Sequence, residues 1–192
     1  MSRRRTEILA LAADLFADRG YANVTVDDIG EAAGISGPAL YHHFSGKEAL
    51  LGEMLVGISQ YLLDGGRRVV AESSDPVADL IAFHAEFAVD DRSLITVHFR
   101  DLVHARPDDQ AKVRNLQARY VAIWADALRE RCPDLERRRA QAAVHAAFGL
   151  INSTPFSARL PRSDMLALLT AMGSAALDGA TSPDRASNLS RS

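Results

Sequence analysis

A single cysteine, Cys132, stands in the 192 residues, so the chain holds no partner for an internal disulfide and no thiol pair for a metal. Its place before Pro133 reads as an ordinary helix end. Long apolar runs are missing too: none approaches the roughly 20 residues that a membrane-spanning helix needs. The opening MSRRRTEILALAADLFA is interrupted by Glu7 and Asp14, with no clean small-residue cleavage site after it, unlike a signal peptide. The cytoplasm is the expected location, with no membrane partner. Basic charge is sparse. The formal net charge is −3, and through residue 50 Lys and Arg stand at positions 3, 4, 5, 19 and 47 against seven acids. Positive potential is therefore confined to the N-terminal arginines, Lys47 and helix N-termini. Strand alternation, internal repeats, a nucleophile elbow and a phosphate-cradling glycine loop are absent, which leaves a helical enzyme little support.

What the chain does have is 47% hydrophobic residues at helical spacing, enough to bury a core in one body or two joined units. The most informative stretch is Thr25 to Lys47, TVDDIGEAAGISGPALYHHFSGK. Thr25 with Asp28 forms a capping box, Ile29, Ala32 and Ala33 share one face, and Gly34 suits a left-handed helix end. Ile35 fills the corner, Ser36 caps a second short helix, and Pro38 sits in its first turn. Leu40 and Phe44 point inward, leaving Gly37, Pro38, Ala39, Tyr41 and His42 outward as candidates for DNA contact. Ser45 and Glu48 read as a further capping box, so a third helix opens at once. Lys47 on its first turn opposes the helix dipole, and a bound phosphate would give it a role. The stretch reads as a helix-turn-helix.

Beyond it only helices are expected. A long one runs from Lys47 toward Val70, others begin at Asp75-Pro76, near Ser93 and at Pro107, and the last two span roughly Leu135 to Ser153 and Ser163 to Asp178. A polar tail from about Gly179 looks disordered. Phe83, His84, Phe87, His98, Phe99, Tyr120, Trp124, Phe148 and Asn152 lie on different helices and are the candidates to converge on one apolar cavity with few polar groups. The last two helices are rich in small residues. Ala143, Val144, Ala147, Phe148, Ile151, Met165, Leu168, Leu169, Met172 and Ala176 offer more apolar face than one core needs, which points to a homodimer. His98, Asp101 and His104 recur every three residues, but histidines six apart do not share a helix face, so no metal is assigned, and no cofactor.

The segment GISGPALYHHFSGKEAL, preceded by TVDDIGEAA, closely resembles the DNA-binding region of TetR-family regulators, with Tyr41, Phe44, Lys47 and Leu50 in register. The amphipathic stretch from about Arg4 to Arg19, closed by Gly20, fits the family's first helix. The resemblance is specific over roughly the first 50 residues and architectural beyond them. It implies an all-α fold: a three-helix DNA-binding domain over 1–46, a helical ligand-binding and dimerisation domain over 47–178, and the tail over 179–192. It further implies dimerisation through the last two helices, and assigns Thr25, Ser36, Tyr41 and Lys47 to phosphates. Arg3, Arg4 and Arg5 would follow the backbone or minor groove as an arm, and His43 packs or touches phosphate. Sequence reading falls to Gly37, Pro38, Ala39, Tyr41 and His42, a donor-poor surface suited to thymine methyls and close backbone approach. The expected function is a ligand-responsive repressor that binds an inverted-repeat operator as a homodimer. A small apolar or aromatic effector, such as an acyl thioester or a drug-like compound, would release it. Corepression, a ligand-binding dimer that has lost DNA binding, and a helical enzyme stand as the alternatives.

Overall fold

The computed structural model describes residues 3–181. Its helices are α1 (Arg3–Arg19), α2 (Val26–Ala32), α3 (Gly37–Tyr41), α4 (Lys47–Glu72), α5 (Pro76–Asp90), α6 (Arg92–Asp101), α7 (Pro107–Arg131), α8 (Arg137–Ile151), α9 (Thr154–Ser157) and α10 (Arg162–Thr181). Short 3-10 turns occupy Tyr21–Asn23 and Leu102–His104, and no strand occurs among the described residues. No helix is long and apolar enough to cross a membrane. The described residues pack into two compact units, one of 3–64 with 91–118 and one of 65–90 with 119–181.

In the first unit α1 turns Ile8, Leu9, Ala12, Ala13 and Phe16 inward, the repeat of a single helical face. They join Val24, Ile29, Leu40, Phe44, Leu50, Leu51 and Leu55 in one core. Each of the larger aliphatic and aromatic side chains among them contributes about 1.5–3 kcal/mol on burial. Gly20 ends α1 at φ 84, a left-handed conformation natural to glycine, and its N–H bonds the Phe16 carbonyl at 2.8 Å. From α6, Arg100 also donates to the Phe16 carbonyl and, at 3.2 Å, to the following one of Ala17. Buried Asp101 holds Arg100 at 3.0 Å, and Ser93 ties the other end of α6 to Asp14 at 2.7 Å.

α4 opens one residue later than a Ser45–Glu48 capping box requires. Its first helical carbonyl acceptor is Gly46, bonded by Leu50 N–H at 3.1 Å, while the Ser45 hydroxyl accepts instead from Arg106 at 3.3 Å. Ser45 lies one position outside the cap, where its oxygen no longer reaches the free N–H groups of the first turn.

In the second unit α5, α8 and α10 bring together Val77, Leu80, Ile81, Val144, Ala147, Ile151, Met165 and Leu169. Gly173 lets α10 approach closely, since a Cβ there would lie 3.1 Å from Ile81 and 3.3 Å from Ile151. The short α9, absent from the sequence expectation, is anchored by buried Thr154, whose hydroxyl donates to the Ala88 carbonyl at 2.5 Å. Arg162 grips Asp90 with two bonds of 2.7 and 2.6 Å. Within α4, Gly65 and Gly66 are the surfaces on which the Phe83 and Tyr120 rings rest: a Cβ at either would overlap those rings. The glycine pair costs about 1 kcal/mol per residue in helix propensity, offset by aromatic contact. α10 continues through Thr181, so Gly179 to Thr181 are helical rather than tail; residues 182–192 of the expected tail lie outside the described residues.

Candidate nucleic-acid interface and effector cluster

The helix-turn-helix is built from local capping. Thr25 Oγ1 accepts from the Asp28 N–H at 3.1 Å, and the Thr25 N–H donates to the Asp28 carboxylate at 2.7 Å. The Thr25 hydroxyl also donates to that carboxylate, and this bond, followed by the one from the Thr25 N–H, holds the Asp28 carboxyl below its usual range. Gly34 adopts φ 64 and Ile35 N–H closes the turn on the Gly30 carbonyl at 2.9 Å. Gly30 is required for another reason: a Cβ there would stand 2.9 Å from the Ile35 carbonyl and 3.3 Å from the Gly37 nitrogen. Ser36 Oγ then accepts from the Ala39 N–H at 3.3 Å, capping α3. Buried Leu40 and Phe44 fix the inner side, and Phe44 lies just past the end of α3. Pro38, Tyr41 and His42 are exposed, Gly37, Ala39 and His43 half-buried. The candidate reading surface is thus assembled on one side of a five-residue helix.

The cations are tied to the protein more than the sequence implied. Arg3, Arg4 and Arg5 form the first turn of α1 rather than an extended arm. Arg3 is exposed beside Glu7 at 3.4 Å, and Arg4 bonds Glu7 at 3.2 Å and the Ala33 carbonyl. Arg5 makes a two-pronged pair with Glu53, donates to the His43 carbonyl and lies 4.2 Å from the Phe44 ring centre. Glu53, on α4, raises the Arg5 pKa further. Lys47 Nζ donates to the carbonyls of Tyr21 at 2.8 Å and Val24 at 2.7 Å and sits 4.2 Å above the Tyr21 ring. One of its three donors is left for a phosphate. Asp27, which the sequence reading passed over, is an exposed acid on α2 beside Gly37, close enough that a Cβ on Gly37 would overlap its carboxylate.

In the second unit six of the nine expected effector residues come together. His84 and Phe87 project from α5, Tyr120 and Trp124 from α7, and Phe148 from α8, with Asn152 at the α8 C-cap. His84 stacks on Phe148 at 4.4 Å, Trp124 meets Phe148 edge-on at 5.0 Å, and Tyr120 stacks on Phe148 at 5.5 Å. Burial pushes the His84 pKa down to about 4, with Asn152 opposing weakly, so the imidazole is neutral at pH 7. Its Nδ1 lies 3.4 Å from the Tyr120 hydroxyl. Buried His84 Nε2, Trp124 Nε1 and Asn152 Oδ1 have no hydrogen-bond partner; Asn152 is near His84 but not in bonding geometry. A buried polar atom left unpaired costs about 1–3 kcal/mol, which a ligand oxygen or hydroxyl would recover.

The other three expected residues are placed differently. Phe83 packs on Gly65. His98 and Phe99 belong to the first unit: α6 buries Ile95, Val97 and Asp101, which leaves Phe99 67% exposed and His98 against Gln117 at 2.5 Å. Burial lowers the His98 pKa. His104 stacks on Tyr21 at 5.0 Å. Among the described residues no three His, Cys, Asp or Glu side chains gather to hold a metal.

Of the positions expected on a dimer face, Val144, Ala147, Ile151, Met165 and Leu169 are turned into the unit's own core. Those helices have two apolar sides, and the inner one is taken by internal packing. Ala143, Phe148 and Ala176 are half-buried, and Leu168 and Met172 remain 43% and 45% exposed. The outward side of these helices includes Ala142, Ala146 and Gly149 on α8 and Leu168, Met172 and Ala175 on α10. An open groove of about 400 Å³ between α5 and α10, lined by residues such as Ala82, Glu86, Leu166 and Thr170, shares no residue with the ring cluster.

Residues 8–54 match the model for bacterial regulatory proteins of the tetR family, and residues 71–156 match that for a tetracyclin repressor-like C-terminal domain. The chain is 33% identical over 161 residues to the HTH-type transcriptional repressor KstR2 of Rhodococcus jostii, covering 82% of this chain and 78% of that one. It is similar in structure to a TetR-family transcriptional regulator from Bordetella parapertussis, with TM-score 0.79 and 26% identity over 94% of this chain and 95% of that one. It also shares the fold of the ketosteroid transcriptional regulator KstR2 of Mycobacterium tuberculosis, with TM-score 0.79 and 23% identity over 95% and 97% of the two chains.

Proposed function

The chain belongs to the TetR family of bacterial regulatory proteins, and on that footing we propose that it is a ligand-responsive transcriptional repressor that binds an inverted-repeat operator as a homodimer. The observation that carries the DNA-reading half is the capped, outward α3. Ser36 anchors its start, Leu40 and Phe44 its inner side, and Pro38, Tyr41 and His42 face away from the core. Two such helices in a dimer would enter successive major grooves about 34–36 Å apart. Tyr41, the remaining donor of Lys47 and Arg3 supply backbone contacts. Gly37, Pro38, Ala39 and His42 supply apolar and close-approach reading of bases, and His43 is the additional phosphate candidate. The functional division is 1–46 for DNA and 47–178 for ligand and dimer.

The dimer forms through the outward face of α8 and α10 carrying Leu168 and Met172. The effector is a small apolar or aromatic molecule with an uncharged polar group. The ring cluster that supports this holds a neutral His84 and three unpaired polar atoms, with no charged side chain among its six members. A ligand that binds preferentially to the DNA-incompetent conformer shifts the population and releases the operator. α4, continuous from Lys47 to Glu72, carries residues of both units and is the lever. Selection from random and genomic duplexes with the purified protein tests the reading: enrichment of an inverted repeat supports it, and no enrichment removes it. Light scattering at micromolar concentration tests the dimer, which a monomer mass would overturn.

A further inference from the structure

The capping and anchoring groups of the helix-turn-helix have partners within the protein. Asp28 is held by Thr25 and lies 3.5 Å from Arg19, Ser36 caps α3, and Lys47 is tied to two carbonyls. The carboxylate of Asp27 is held by none of these: it is exposed in the first turn of α2, and no hydrogen bond or ion pair among the described residues engages it. Its carboxylate lies against Gly37, the first residue of α3, in the space a side chain on Gly37 would take. The absence of a Cβ at residue 37 therefore admits an acidic group from a different helix to a reading surface that otherwise offers Pro38, Ala39, Tyr41 and His42.

A carboxylate accepts hydrogen bonds and donates none. Phosphates repel it, and so do base edges that present only acceptors. In the major groove guanine shows N7 and O6, thymine shows O4 and a methyl, adenine sets an N7 acceptor beside its amino group, and cytosine alone shows a donor without an acceptor. We propose that Asp27 is a specificity-determining residue whose carboxylate, seated beside Gly37, accepts a hydrogen bond from the amino group of one cytosine in each operator half-site. This rests on the DNA-reading function proposed above and adds to it a group that accepts hydrogen bonds and donates none.

The test is selection from randomised duplexes with the full chain, comparing wild type with Asp27→Ala, Asp27→Asn and Gly37→Ala. Wild type is expected to enrich an inverted repeat with one cytosine per half-site whose replacement weakens binding about tenfold. Asp27→Ala loses that preference and keeps the others. Asp27→Asn moves it toward adenine, whose N6 and N7 match a carboxamide. Gly37→Ala weakens the same position, because its Cβ displaces a flexible carboxylate and no backbone atom. It provides a second route should Asp27→Ala melt early. If Asp27→Ala tightens binding to all duplexes alike with base preferences unchanged, Asp27 is a repulsive charge only and the assignment is overturned. If wild type enriches no duplex at all, the DNA-reading function fails and the assignment falls with it, a result distinct from the first.

Discussion

The helix-turn-helix and the ring cluster of the second unit handle polar groups in opposite ways. Around α2 and α3 the capping side chains find partners close by, through Thr25 with Asp28 and Ser36 with Ala39, so the starts of both helices are held by bonds a few residues long. In the ring cluster, His84, Trp124 and Asn152 each bury an unpaired atom among aromatic faces. A surface that must hold its shape before meeting DNA gains from caps satisfied within the protein, whereas a sensor gains from groups that only a ligand completes. Removing a paired group should therefore cost stability, and removing an unpaired one should not.

The largest expected effect is a pH dependence in the second unit. The His84 pKa is about 4 when folded against an ordinary 6.5. Because the unfolded chain binds the proton first, stability is full above about pH 6.5 and falls as pH drops toward 4, by on the order of 3 kcal/mol. Thermal melts across that range should show His84→Phe losing less stability than wild type; parallel curves would mean His84 is not buried neutral. Next in size is Lys47→Met, which removes two charge-assisted bonds and should destabilise by about 1.5–3 kcal/mol. It should also weaken binding to operator and random DNA alike and reduce the salt slope by about one; an unchanged slope would leave Lys47 as a structural tie alone. Ser36→Ala, the loss of a helix cap, should cost about 1 kcal/mol in denaturant melts. Asn152→Leu is the smallest: with its unpaired oxygen gone, stability should stay within about 0.5 kcal/mol of wild type. A loss as large as that of Ser36→Ala would erase the contrast between the two regions.

How far the residues could be read in advance follows the same division. The Thr25 box, the Gly20 and Gly34 helix ends and the Ser36 cap were all legible, because each joins atoms within about one helical turn and depends on residue type and spacing. Ser45 failed by one position, and a pattern of letters does not separate a cap from its neighbour when both are small. The arm misread Arg5, whose partner Glu53 lies 48 residues away. Asp27 carried only the signal of an exposed acid in a first turn, and its meaning came from Gly37 on another helix. Six of the effector candidates did converge, because polar-aromatic residues on apolar stripes must turn inward. His98 and Phe99 did not, since α6 offers its own buried stripe to the first unit.

Helical periodicity, caps and glycine punctuation were enough to establish an all-α chain with a helix-turn-helix, since those signals act through backbone bonds between near neighbours. The choice among apolar faces needed the fold itself. Val144 and Met165 are as apolar as Leu168 and Met172, yet the first pair is buried in the core and the second left outside. Burial is a property of which helices meet. The same holds for the polar side chains: whether Lys47 meets two carbonyls, or His84 is left without a partner for Nε2, depends on atoms brought together from distant parts of the chain, and no local spacing encodes that meeting.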